Sequence, residues 1–300
     1  MVEPICIKHS SGAFAIVHPF GATITSFQTS IGREVLFVSS LAKFDGSRPI
    51  RGGIPLVFPQ FGQPDKSMPQ HGILRNRLWN VGSAYHCDED DSSCCELHVS
   101  FPHDSDINEK SNDIRYVCNV TLLVKVQPST LTAILTVLNP NDSQQDFDFQ
   151  ALFHTYYRVE GSKALQNELC NVRGLSGYHV FDQITKEAYV LEEDAVVSID
   201  RGVDRIYTPD TSQDQSLELR LQTGTNEVNT IVQASALVNG IVAPVSVVVW
   251  NPFIEKSKGM ADFGNDEYHD MICVEPGMLT NIPTLKSGGT AVFKQVITSV

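Results

Sequence analysis

Two segments that lie far apart in the chain each carry a residue suited to proton transfer. Residues 148–158 read as a β-strand, and since successive strand side chains point to opposite faces, His154 falls among polar groups on one face. A solvated outer face is the ordinary explanation for such a strand. In residues 271–277, however, Glu275 ends an apolar strand before a Pro-Gly turn, and glutamate is rarely buried without a reason. His154 and Glu275 together therefore indicate an acid/base pair in a polar groove.

Two other segments have the composition of ligand-binding loops. Residues 51–62 are dense in glycine, proline and aromatic residues, and we expect the glycines to let the backbone approach a ligand closely. Arg51, at the start of this segment, is a candidate ligand for an anion. Residues 68–76 present three polar side chains close together on another loop: Gln70, His71 and Arg75.

Asp204, within residues 202–207, completes the set of candidates. Each candidate also has an ordinary structural explanation, because arginines are commonly surface groups and Asp204 could form a weak exposed ion pair with Arg205. Their occurrence in one chain with His154 and Glu275 favours a single binding site.

The overall charge restricts the class of partner. The 300 residues include 22 basic and 35 acidic side chains, which gives a net charge of −13. This balance argues against nucleic acid or an anionic membrane as a partner. If the substrate is an anion, its positive counterpart must be local and supplied by a few arginines.

The cysteines and the chain ends predict a cytoplasmic protein. The chain has seven cysteines, an odd number without a CxxC spacing, which is typical of reduced thiols. The first residues lack the basic start and apolar run of a signal peptide, and no apolar stretch approaches the ~20 residues of a membrane span. The sequence contains no P-loop, GxGxxG, HExxH or GxSxG motif, and we expect neither a metal nor an organic cofactor.

Short β-like runs recur along the chain, whereas helical periodicity does not. Residues 116–126 and 131–138 flank a turn and predict a hairpin, and residues 34–38 read as another short strand. Lys163 to Cys170 is compatible with a short helix or a strand, and residues 88–93 read as an exposed acidic loop. Many short strands at near-regular spacing predict an all-β sandwich or barrel, with residues 1–300 forming a single domain.

Taken together, these segments resemble the aldose 1-epimerase superfamily and, more narrowly, its hexose-6-phosphate branch. The similarity lies in residues 51–62, 68–76, 153–159, 204–207, 248–263 and 271–277. The resemblance implies an antiparallel β-supersandwich of the galactose mutarotase-like type, with the sugar bound in a groove across one sheet. One departure is Phe253, where related sequences often carry tryptophan.

The resemblance also assigns roles to individual residues. It implies His154 and Glu275 as the catalytic acid and base. It implies four substrate-binding positions, namely Arg51, Gln70, Arg75 and Asp204, with His71 as a weaker candidate. The expected activity is cofactor-free interconversion of the α and β anomers of a hexose 6-phosphate by a monomer. An epimerase for neutral hexoses and a non-catalytic sugar-phosphate binding protein remain as alternatives.

Overall fold

The computed structural model describes residues 2–102, 116–161, 163–191, 195–210 and 216–300. In these residues the all-β prediction is confirmed, and the paired strands of every sheet run antiparallel. The helical elements are short: α1 (Phe253–Lys258) and three 3₁₀ turns, Leu74–Asn76, Asn141–Ser143 and Glu267–Asp270. No helix in this part of the chain is long and apolar enough to cross a membrane.

The larger sheet contains eleven described strands. They are β5 (Asn80–Val81), β6 (Tyr85–Cys87), β7 (Ser92–Phe101), β8 (Cys118–Val126), β9 (Thr130–Leu138), β13 (Cys170–Arg173), β16 (Val197–Ser198), β18 (Leu217–Thr223), β19 (Thr230–Val238), β20 (Ile241–Ala243) and β24 (Thr290–Ser299). Their order is β16-β13-β18-β19-β24-β9-β8-β7-β5, with β20 paired to β19 and β6 paired to β7.

The smaller sheet contains eight described strands and carries the acid/base candidates. They are β4 (Leu56–Val57), β11 (Ala151–Phe153), β12 (Tyr156–Arg158), β14 (His179–Asp182), β15 (Ala188–Val190), β17 (Val203–Thr208), β21 (Ser246–Asn251) and β22 (Met271–Met278). Their order is β15-β14-β17-β21-β22-β11-β4, and β12 also pairs with β22. Two small sheets complete the fold: β1 (Ile5–Lys8), β2 (Phe14–His18) and β3 (Thr23–Gln28) in one, β10 (Phe147–Asp148) and β23 (Thr284–Leu285) in the other.

Most predicted strands are present, and the exceptions have local causes. The predicted hairpin is β8 and β9. Residues 34–38 form only isolated bridges, because Glu34, Leu36 and Val38 each face a different segment. Lys163 to Glu168 consists of turns, after which β13 begins at Cys170, and the acidic loop ends at Asp91 because Ser92 already belongs to β7. The single-domain organisation stays a prediction.

The strand around His154 is interrupted, which the sequence did not predict. It divides into β11 and β12, and His154 and Thr155 lie between them. Thr155 is fixed by the larger sheet, since its hydroxyl donates to Oε1 of Gln295 on β24 at 3.0 Å. Gln295 Nε2 in turn donates to the Tyr157 hydroxyl at 3.1 Å. The face of the strand that carries His154 and Tyr156 is not solvated either, because both side chains are buried. The interruption therefore holds His154 in a buried site between two paired segments.

The segment around Glu275 also differs from the prediction of a strand end and a Pro-Gly turn. Strand β22 continues through Pro276 and Gly277, so Glu275 lies within a strand. Gly277 pairs with Leu152 on one side and with Ser246 on the other. A Cβ atom at Gly277 would lie 2.8 Å from the Leu152 Cβ, so glycine permits the close approach of β11 to β22.

Gly52 and Gly53, directly after Arg51, lie against other backbone segments, whereas Gly62 lines the cavity described below. Gly53 has a φ of +66°, and a Cβ atom there would lie 2.1 Å from the carbonyl oxygen of Ile24. This contact brings the segment against β3. Ser39 in turn donates a backbone hydrogen bond to the Arg51 carbonyl at 3.0 Å. The backbone of Arg51 is thereby fixed at the edge of the smaller sheet.

Candidate active site

The register of the smaller sheet brings distant segments of the chain together on one face. Directly opposed residues of antiparallel strands point to the same face. Pairing across β17, β21, β22 and β12 places four side chains in one row: Asp204, Trp250, Cys273 and Tyr156. Two residues further along β22, and therefore on the same face, Glu275 is paired with Val248. His154 lies beside it, at the break between β11 and β12.

His154 and Glu275 form a close and buried pair. The distance from His154 Nδ1 to Glu275 Oε1 is 3.4 Å, and the two residues are 8% and 1% exposed. The imidazole stacks on the Tyr156 ring with the centroids 4.9 Å apart, and the Trp250 ring lies edge-on at 6.1 Å. Two aromatic rings thus fix the orientation of the imidazole.

Burial disfavours the charged form of both members of this pair. It raises the pKa of Glu275 well above its usual range, and the charge of Asp204 raises it further, while Arg75 opposes this shift. Burial also lowers the pKa of His154 well below its usual value, and neighbouring cationic groups add to the effect. Both shifts favour the uncharged forms, that is, a protonated Glu275 beside a neutral imidazole. The imidazolium–carboxylate arrangement is the other form of the same one-proton state.

Arg51 is anchored by two partners at the side of the pair. Its Nη1 donates to the Tyr156 hydroxyl at 3.1 Å, and its Nη2 pairs with Asp262 Oδ2 at 3.2 Å. Burial opposes the charge, but the facing Tyr156 and Asp262 outweigh it and raise the pKa of Arg51. Arg51 is therefore a permanent cation of this site.

Arg75 comes from the 3₁₀ turn Leu74–Asn76 and is less constrained. Its Nη2 donates to the backbone carbonyl of Gln70 at 2.8 Å. Burial lowers the pKa of Arg75 to about 10, with partial compensation from Tyr156, so the group remains charged at neutral pH. The Gln70 side chain itself is exposed at the edge of the cavity.

His71 is a neutral hydrogen-bond donor in this environment. Its Nδ1 accepts the backbone N–H of Gly62 at 3.1 Å, which leaves the proton on Nε2. Burial, together with the charges of Arg75 and Arg51, lowers the pKa of His71 to about 3. Its ring lies edge-on to His154 with the centroids 5.7 Å apart. This weaker candidate of the sequence thus lies next to the acid/base pair.

Asp204 lies on β17, which is separated from β22 and Glu275 by β21. Two groups that the sequence did not single out hold its carboxylate. Gln183 Nε2 donates to one carboxylate oxygen, and Lys256 Nζ lies 3.3 Å from the other. The Lys256 ammonium also lies 5.5 Å from the centre of the Trp250 ring. Lys256 extends from α1, which follows the Asn251-Pro252 corner after β21.

All of the site residues predicted from the sequence line one cavity of about 310 Å³. Its lining includes His154, Glu275, Arg51, Gln70, Arg75 and Asp204, and also His71. The lining is completed by seven residues that the sequence did not single out as site residues: Phe61, Gly62, Gln183, Val248, Trp250, Lys256 and Met260. Trp250 could have been found, since it alternates with Val248 on β21, but nothing in the local pattern marked Gln183 or Lys256.

Unsatisfied polar atoms concentrate in this cavity. Among the described residues, eight buried side-chain nitrogen or oxygen atoms lack a hydrogen-bond partner. Four of the eight belong to the cavity: Arg51 Nε, Arg75 Nε, His154 Nδ1 and Glu275 Oε2. Each such atom costs about 1–3 kcal/mol. A polar ligand with several hydroxyl or anionic oxygens could satisfy them together.

The donor atoms of His154, Cys273 and Glu275 lie within 4.8 Å of one another, which is close enough to consider a metal ion. Metal binding requires a deprotonated thiol and carboxylate. Burial raises the pKa of both Cys273 and Glu275 well above their usual values, and the charge of Glu275 adds to the shift of the thiol. These three residues therefore fit proton transfer better than metal ligation.

Comparison with known proteins identifies the family. Residues 3–298 match the model of the aldose 1-epimerase family. A protein of Cenchrus ciliaris named "Putative glucose-6-phosphate 1-epimerase" is 28% identical over 294 residues, which are 96% of this chain and 82% of the relative. An Escherichia coli protein of the same name is 25% identical over 263 residues, 85% of this chain and 76% of the relative.

A solved structure shows the same fold. The crystal structure described as "a putative mutarotase" from Salmonella typhimurium superposes with a TM-score of 0.77 at 20% identity, over 99% of this chain and 90% of that chain. The chain therefore belongs to the aldose 1-epimerase family, and its fold is that of the galactose mutarotase-like supersandwich. Membership of this family supports the assignment of the protein as an epimerase that interconverts sugar anomers.

The buried pair predicts a pH-dependent effect of Glu275→Gln on stability. Because the folded-state pKa of Glu275 is raised, Glu275 in the unfolded chain loses its proton above its usual pKa of 4.5, while the folded protein retains the proton to higher pH. This difference destabilises the wild type progressively as the pH rises through that range. Glu275→Gln should therefore have a higher Tm than the wild type at pH 7.5, and the difference should nearly vanish at pH 4.

Thermal unfolding by circular dichroism at both pH values measures this difference. Glu218→Gln is the matched control, since Glu218 is an exposed carboxylate on β18 of the larger sheet. A Glu275→Gln protein that is less stable than the wild type at pH 7.5 would contradict the raised pKa.

Proposed function

We propose that this aldose 1-epimerase interconverts the α and β anomers of D-glucose 6-phosphate and of related hexose 6-phosphates. The observation that carries the proposal is that His154, Glu275, Arg51 and Arg75 line one cavity, and that each of them has a buried polar atom without a hydrogen-bond partner. The pair supplies the chemistry of anomer exchange, and the arginines supply the positive charge that a phosphate requires on a protein of net charge −13. The names of the relatives agree with this substrate class.

The reaction needs one base and one acid, which exchange roles. Glu275 removes the proton from the C1 hydroxyl while His154 donates a proton to the ring oxygen, so the bond between C1 and the ring oxygen breaks and an open-chain aldehyde forms. Rotation about the C1–C2 bond presents the other face of the aldehyde. The ring then closes as His154 recovers its proton and Glu275 returns one to the C1 oxygen. The protein ends in its starting state.

The one-proton state of the pair matches this requirement. Burial favours the proton on Glu275, and transfer of this proton across the 3.4 Å between Glu275 Oε1 and His154 Nδ1 gives the form that starts the reaction. Arg75 lowers the pKa of both Glu275 and His154, whereas Lys256 lowers that of Glu275, so Lys256 is the cation that favours this transfer. Substrate hydroxyls that donate to the carboxylate act in the same direction.

The remaining residues hold the substrate. Asp204 and Gln70 offer hydrogen-bond acceptors and donors to sugar hydroxyls, and neutral His71 offers the N–H of its Nε2. Arg51 and Arg75 offer guanidinium groups, whose planar donor geometry matches phosphate oxygens. An epimerase for neutral hexoses would leave these cations without a substrate group. A non-catalytic binding protein would have no use for an unpartnered acid and base.

Removal of either proton carrier should abolish most of the exchange. Each general acid or base typically contributes ~10²–10⁴-fold, so His154→Ala and Glu275→Gln should each reduce kcat for D-glucose 6-phosphate by a factor in this range. Exchange NMR between the two anomeric protons measures the rate above the uncatalysed background. His98→Ala is the control, because His98 is an exposed histidine on β7. Near-normal exchange by either folded variant would refute the assigned roles.

Arg75 gives the cleaner test of the phosphate, because its removal leaves no buried carboxylate without a partner, whereas removal of Arg51 would leave Asp262 alone. Loss of a charge-assisted contact costs about 1.5–3 kcal/mol. Arg75→Ala should therefore lower the ratio of kcat/KM for D-glucose 6-phosphate to that for D-glucose by roughly tenfold to a hundredfold. Arg220→Ala, at an exposed arginine of β18, should leave the ratio unchanged. Equal losses on both sugars would mean that Arg75 only shapes the cavity.

A further inference from the structure

We propose that the 6-phosphate lies in a second cavity, next to the one that contains His154 and Glu275, and that Arg48 provides a third guanidinium for it. This inference rests on the proposed function and adds to it the location of the anion and a residue that sets substrate choice. Neither the sequence nor the family match assigned a role to Arg48.

The second cavity has a volume of about 270 Å³ and shares three residues with the first: Arg51, Gln70 and Arg75. Its own lining adds Ser47, Arg48, Tyr156 and Asp262. The two cavities are therefore neighbours with a common wall of arginines. Since Arg51 and Arg75 face both, a sugar ring in the first cavity could extend its 6-substituent into the second.

The charges of the two cavities differ in a way that favours this division. The second cavity is lined by Arg48, Arg51 and Arg75 against the single carboxylate Asp262, which gives a net charge of about +2. A phosphate monoester carries a charge of about −1.5 to −2 at neutral pH. The balance in the second cavity thus matches one phosphate group.

The first cavity offers no such excess apart from the shared arginines. Its own cation, Lys256, already pairs with Asp204 at 3.3 Å. Its other acidic group is Glu275, and burial raises the pKa of this group, which favours the uncharged carboxyl. The unshared groups of this cavity therefore carry little net charge, which suits the neutral hydroxyls of a sugar ring.

Tyr156 connects the two cavities. Its ring stacks on His154 in the first cavity, and its hydroxyl accepts a hydrogen bond from Arg51. A phosphate bound by Arg51 in the second cavity would therefore fix the tyrosine against which the catalytic imidazole rests.

Arg48 is available for this role. It is exposed, and it has no ion pair with any residue of the described part of the chain. The backbone on both sides of it is fixed, since Ser47 is held in a turn by Asp45 and Ile50 is buried. A side chain with a fixed base and a free end can close over a phosphate without losing an existing partner.

The substitution Arg48→Ala tests the assignment, with Arg220→Ala as the matched control at an exposed arginine of the larger sheet. An exposed position should tolerate the change, which circular dichroism and the Tm can verify. The ratio of kcat/KM for D-glucose 6-phosphate to that for D-glucose should fall about tenfold in Arg48→Ala. It should remain unchanged in Arg220→Ala. Exchange NMR on both sugars gives both rates.

Inorganic phosphate distinguishes the two cavities. If phosphate binds in the second cavity, it should inhibit exchange of D-glucose 6-phosphate competitively but leave the exchange of D-glucose unaffected, and Arg48→Ala should weaken the inhibition. Inhibition of both sugars alike would place the anion in the first cavity and overturn the inference.

The two proposals fail in different ways. A wild type that prefers D-glucose overturns the proposed function. A wild type that prefers D-glucose 6-phosphate, together with an Arg48→Ala variant of unchanged selectivity, overturns only the role of Arg48 and the second cavity.

Discussion

The burial of an acid and a base without other partners is the constraint on which this structure depends. Glu275 Oε2 and His154 Nδ1 are buried and have no hydrogen-bond partner. Such groups cost stability, and perturbed ionisable groups in a cleft are typical of functional sites. This loss of stability is offset by the two large sheets, whose apolar residues pack into a continuous core. Stability is thus lower than the fold would allow at the place where the proposed function requires proton transfer.

Strand register is what keeps the pair in place. Glu275 is fixed by β21 on one side of β22, while Gly277 permits β11 to approach on the other side. His154 is fixed by its neighbour Thr155, which hydrogen-bonds to Gln295 of the larger sheet. The two catalytic candidates are therefore positioned by backbone pairing and by contact between the sheets. Of the binding candidates, Asp204 lies on β17 and Arg75 on the 3₁₀ turn Leu74–Asn76.

The sequence predicted the fold class better than the local geometry. Alternation along residues 148–158 and an unexpected glutamate in an apolar run were enough to select His154 and Glu275, because both signals are local. The break at His154 and the continuation of β22 through Pro276 could not be predicted, because each depends on contacts with distant strands. Lys256 and Gln183 were missed for a similar reason, since they reach Asp204 only after α1 and the β14–β15 turn are in place. The binding assignments of Arg51, Gln70, Arg75 and Asp204 came from family resemblance, and the shared cavity supports them.

Substrate selectivity of the wild-type protein tests the central claim most directly. Exchange NMR at anomeric equilibrium, with D-glucose 6-phosphate, D-glucose and D-galactose compared under the same conditions, gives kcat/KM for each sugar. The account predicts that D-glucose 6-phosphate has the highest value, by roughly tenfold or more, because only this substrate engages the arginines. A wild type that exchanges either neutral sugar as fast as the phosphorylated one, or faster, would contradict it.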